Sequence, residues 1–117
     1  MFALFLVLND TLLLDDVHEV FYQHGVGATT LDSVGMGKIL MEHNVDIPMF
    51  ASIRRMLEGD RPYSKTVVSV IKEENTLNEV VDDIKKTLGA IGKPGIGFMF
   101  VIPVLDIHGF GGNNQNV

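Results

Sequence analysis

The chain has 117 residues, 46% of them apolar, which suits one compact domain with a modest core. Its formal charge of −6 argues against a general nucleic-acid binder, because displacing counterions from phosphates needs a net basic face. It has no cysteine, so neither a disulfide framework nor thiolate chemistry is available.

The opening "MFALFLVLND" lacks the basic flank and small-residue cleavage site of a signal peptide, and it is too short to span a membrane. Residues 2 to 9 read instead as a strand covered on both faces or lying at a subunit contact. Asp10 or Thr11 offers an N-cap for a helix, with Asp15 and Asp16 near the positive end of its dipole. Leu13, Leu14, Val17, Val20 and Phe21 recur at the spacing of one buried stripe. His24 closes that helix and Gly25 supplies a left-handed stop. A second strand lies within "GATTLDSVGMG".

Residues 38 to 63 form an excursion far longer than a hairpin connection requires. Inside it, "PMFASIRRMLEG" reads as a short helix with Pro48 in its first turn and Gly59 as its stop. Met49, Ile53, Met56 and Leu57 share one face of that helix. Five of the nine basic residues (Lys38, Arg54, Arg55, Arg61 and Lys65) fall between positions 38 and 65, so the rest of the chain is strongly acidic. "KTVVSVI" at 65–71 is a third strand. A second helix over 75–89 is capped at Asn75 or Thr76, buries Leu77, Val80, Val81, Ile84 and Leu88, and stops at Gly89. "GFMFVIPVLDI" is a fourth strand, and the glycine- and asparagine-rich residues 111–117 read as a disordered tail.

This order is that of a ferredoxin-like α+β sandwich, a four-stranded antiparallel sheet with two helices on one face, forming a single domain over residues 1–110. The strands at 2–9 and 97–105 are apolar at nearly every position. The face away from the helices therefore needs a cover of its own, and another subunit is the expected one.

Two glycine turns stand out. "GMGK" ends the second strand and "GKPGIG" leads into the fourth. Each sets backbone N–H groups beside a lysine, an arrangement that can hold phosphate or carboxylate oxygens. A plain corner between elements would use the same residues. Neither turn is a P-loop, since no Gly-Lys-Ser/Thr opens a helix. His18, His24, His43 and His108 show no metal-binding pairing, and no serine, histidine and acid constellation points to catalysis. Glu73, Glu74, Asp82 and Asp83 read as solvated faces. Met36, Met41, Met49 and Met56 fit either core filling or an adaptable docking surface.

With "LDDVHEV", "GATTLDSVGMGK", "VVDDI" and above all "GKPGIGFMFVIPV", the chain resembles the PII-like superfamily, small signalling proteins typified by nitrogen regulatory protein PII. The resemblance covers about Phe2 to Val104 apart from the excursion. It implies a non-enzymatic, cytoplasmic homotrimer that needs no cofactor and takes ATP, ADP, AMP or cyclic AMP as effector in clefts between subunits. On this resemblance Gly35, Met36, Gly37 and Lys38 line the cleft at the base of a regulatory T-loop, and Thr29 contacts the base. Gly92, Lys93 and Gly95 form the neighbouring subunit's phosphate-facing turn, with Lys65 as a second phosphate-side lysine. The loop at 38–63, through Met49, Ile53, Arg54, Arg55 and Met56, would engage a partner protein, an enzyme or membrane transporter, and not nucleic acid. Two departures argue against 2-oxoglutarate sensing. Ile39 stands where the family has a glutamine that helps hold magnesium, and the C-terminal arginines that clamp phosphates are missing from "DIHGFGGNNQNV". A ligand-free structural or adaptor trimer and a CutA-like metal-responsive trimer are the alternatives.

Overall fold

The computed structural model describes residues 1–36, 39, 63–89 and 95–109. The helix expected at 48–59, the residues Met49, Ile53, Arg54, Arg55 and Met56 expected to meet a partner, and the tail at 111–117 lie outside the described residues.

Four strands, β1 (Phe2–Leu8), β2 (Thr29–Val34), β3 (Tyr63–Ile71) and β4 (Gly97–Pro103), pair antiparallel in the order β2-β3-β1-β4. A 3-10 turn at Thr11–Leu13 leads into α1 (Leu14–Gln23), and α2 (Glu74–Leu88) joins β3 to β4. This is the ferredoxin-like α+β order that the hydrophobic periodicities predict.

Strand geometry explains the unbroken apolar run of β1. Successive side chains point to opposite faces, and both faces here need apolar residues. Leu4, Leu6 and Leu8 are fully buried beneath the helices, beside Val67 and Ile71 of β3. Val17, Val20 and Phe21 of α1 and Leu77, Val80, Ile84 and Leu88 of α2 complete that core. Phe5 and Val7 point the other way, onto a face that neither α1 nor α2 covers.

The helix ends differ in detail from expectation. Asp10 makes no side-chain cap; the 3-10 turn intervenes and Leu13 is the capping position of α1. The cap of α2 is Glu73, in extended conformation, so that helix starts one residue before the expected caps Asn75 and Thr76. Tertiary packing rather than a side-chain cap therefore sets both starts. The stops agree with expectation: Gly25 and Gly89 have φ of +67° and +72°, a region that glycine enters without a Cβ penalty. β3 begins two residues earlier than its apolar pattern, because Tyr63 and Ser64 pair with Val34 and Ser33. β4 ends at Pro103, short of the expected run to residue 107, where a proline has no N–H to continue a ladder. Among the described residues no helix is long and apolar enough to cross a membrane.

Candidate functional site

The antiparallel order brings the end of β2, the start of β3, the end of β1 and the start of β4 to one end of the sheet. Gly35 and Met36 follow β2 there, Lys65 lies near the start of β3, and Gly95 precedes β4. Thr29 does not join them. It opens β2, about 20 Å along the strand from Gly35 at roughly 3.3 Å per residue. Gly37, Lys38, Gly92 and Lys93 lie outside the described residues.

Gly35 and Gly95 share an end of the sheet but not a place on it. They adjoin its two edge strands, which are three strand spacings, or about 14 Å, apart. One small anion cannot touch both turns of a single chain.

The glycines of "GKPGIG" have separate roles. Gly97 has φ +145°, and a Cβ there would stand 2.2 Å from the Val7 carbonyl oxygen. The same corner is tied to the end of β1, where the Asn9 and Asp10 N–H groups both donate to the Ile96 carbonyl, at 2.9 and 3.2 Å. The corner reading accounts for Gly97 in full. Gly95, with φ +91°, has nothing within 4 Å of where a Cβ would lie. Its positive φ accounts for that glycine, and no close approach like that at Gly97 adds to it.

Lys65 is already engaged. It lies opposite Leu8 on β1 and Asp32 on β2, and its ammonium donates to the Asp32 carboxylate. The lysine side chain is 36% exposed and the aspartate 86%. Neither Asp32 nor this pairing features in the sequence reading. Both residues belong to strands, and only the register of β2 on β3 sets them side by side.

Other polar contacts also escape the sequence. His24 does more than close α1: its Nε2 is 2.6 Å from the Asp83 carboxylate on α2, and its Nδ1 is 3.6 Å from that of Glu79. Asp83 is therefore a helix–helix contact rather than a merely solvated residue. The two carboxylates meet different ring nitrogens of the one imidazole. Among the described residues no group of three potential ligands is arranged to hold a metal ion. His18 Nε2 meets Thr30 Oγ1 at 2.7 Å, and Ser33 Oγ bridges Ser64 and Thr66 at 2.6 and 2.8 Å.

The sheet face opposite α1 and α2 is apolar and centred on aromatic residues. Phe5 and Phe100 stack with ring centroids 4.9 Å apart and planes 8° apart, and Phe98 lies 6.3 Å from Phe100. Phe98, Phe100 and Ile102 are each more than two-fifths exposed, and Leu31 is half exposed. By register this face carries no charged side chain among the described residues.

These observations define a ferredoxin-like α+β protein whose sheet face opposite the helices is uncharged among the described residues, with Gly35 and Gly95 at one end of the sheet. No family model matches the chain, and no curated protein is significantly similar to it.

Proposed function

We propose that the chain is a non-enzymatic, PII-like regulatory protein. It assembles as a homotrimer and binds a small anionic effector, an adenine nucleotide such as ATP, ADP, AMP or cyclic AMP, between subunits. The observation that carries this reading is the separation of the two glycine turns. Gly35 and Gly95, which belong to them, adjoin opposite edges at the same end of the sheet, about 14 Å apart. A heterologous contact that joins the β2 edge of one copy to the β4 edge of the next brings them together, and three copies whose rotation closes the ring turn their bare sheet faces inward against one another. The "GMGK" turn of one subunit then faces the "GKPGIG" turn of its neighbour. Lys38 and Lys93 supply charge, and glycine backbone N–H groups supply directed donors. The excursion at 38–63 departs from one of these turns, so effector binding there is coupled to how the loop meets a partner protein, an enzyme or transporter. The protein acts in the cytoplasm.

Calorimetric titration with ATP, ADP, AMP, cyclic AMP and citrate, beside Lys93→Ala, tests the reading. Saturable binding is expected, weaker in the variant by about 1.5–3 kcal/mol, the usual worth of a charge-assisted hydrogen bond. Absence of binding to all five would leave "GKPGIG" as a corner only, and favour the ligand-free adaptor trimer.

A further inference from the structure

We infer that Asp32 is an internal counter-ion that occupies Lys65 until the phosphate of a ligand takes its place. This rests on the nucleotide-binding reading above and adds a built-in competitor to it. Lys65 sits at the sheet end shared by Gly35 and Gly95, and its ammonium is bonded to Asp32. The two partners are not equally anchored. The lysine is about two-thirds covered and the aspartate side chain stands almost wholly in solvent. Asp32 can therefore swing into water while Lys65 stays in place, and an exposed ion pair of this kind contributes little to stability. An incoming phosphate offers Lys65 more negative charge than one carboxylate does. The exchange replaces one charge-assisted hydrogen bond with a stronger one and releases a hydrated carboxylate. Asp32 thereby raises the ligand concentration needed for occupancy, and screens Lys65 from weaker anions such as single carboxylates.

A double-mutant cycle tests the inference, with titration of ATP and of inorganic tripolyphosphate into the wild type, Asp32→Asn, Lys65→Ala and the double variant. Asp32→Asn should bind both probes roughly 3- to 10-fold more tightly at low salt, with the gain shrinking as salt screens the charges. The gain should vanish in the Lys65→Ala background, because there is no longer a lysine to release. Asp32→Asn binding no tighter than wild type would overturn the counter-ion role, and if Lys93→Ala still weakens binding the nucleotide reading survives. A gain that persists without Lys65 would also overturn it, since the aspartate would then act by general repulsion. Binding of neither probe by any of the four proteins would overturn the inference and the nucleotide reading together.

Discussion

Gly97 shows how much a single residue can depend on a strand far away in the chain. Its missing side chain makes room for the Val7 carbonyl, and its φ of +145° lies where other residues are strained. Gly97→Ala must therefore part β1 from β4 at the corner or distort the backbone, and a loss of about 3 kcal/mol or more is expected. Gly89→Ala is the control. Its φ is also positive, but nothing lies within 4 Å of the added methyl, so only the conformational cost of about 1 kcal/mol applies. Urea denaturation of both variants measures the difference, and equal losses would mean that the corner relaxes freely. The sequence marks "GKPGIG" as special but cannot divide the work among its glycines. Which of them needs the space depends on Val7, and nothing in the local pattern specifies that approach.

At the scale of elements, α1 and α2 are joined by more than their apolar stripes. His24, at the end of α1, bonds Asp83 on α2 at 2.6 Å. Its side chain is 18% exposed and that of Asp83 39%, so the bond is only partly screened. A double-mutant cycle with His24→Ala and Asp83→Ala should give a coupling of about 1 kcal/mol, in the range for a hydrogen bond discounted for solvent. A coupling indistinguishable from zero would reduce the contact to a surface approach without energetic weight. The stripes themselves were legible: every residue expected on the buried face of α2 is buried or half-buried, because a 3.6-residue period has few readings other than an amphipathic helix. The polar contacts between elements were not. Asp82 and Asp83 are adjacent acids with identical local context, and only the placement of α1 distinguishes the one that meets a histidine. The same holds for Asp32 and Lys65, whose pairing follows from strand register rather than from either segment.

For the molecule as a whole, charge and apolar surface are divided between two sides. The outer surfaces of the helices are net acidic, with Asp15, Asp16, Glu19, Glu74, Glu79 and Asp82 against Lys85 and Lys86, whereas the opposite sheet face is uncharged among the described residues and centred on stacked Phe5 and Phe100. Copies of an acidic chain that approach helix to helix repel one another, and copies that approach through the bare sheet face do not. The need for such a cover was readable from the apolar strands at 2–9 and 97–105. The site was less so: its glycine turns were visible, but their separation across the sheet required the strand order. Phe100→Asp addresses the assembly directly. Phe100 is 44% exposed in the single chain and lies outside the core between sheet and helices, so the substitution costs its stacking on Phe5 but should leave the fold and helical circular dichroism intact. In an assembly it would place a carboxylate in each copy within a desolvated apolar contact, a penalty that association of small subunits cannot absorb. Light scattering coupled to gel filtration should find the wild type near three times the 12.9 kDa chain mass and the variant near one. A folded variant of undiminished mass would move the subunit contact off this face. A monomeric wild type would remove the geometric basis for a cleft between subunits, since in one chain Gly35 and Gly95 adjoin strands about 14 Å apart.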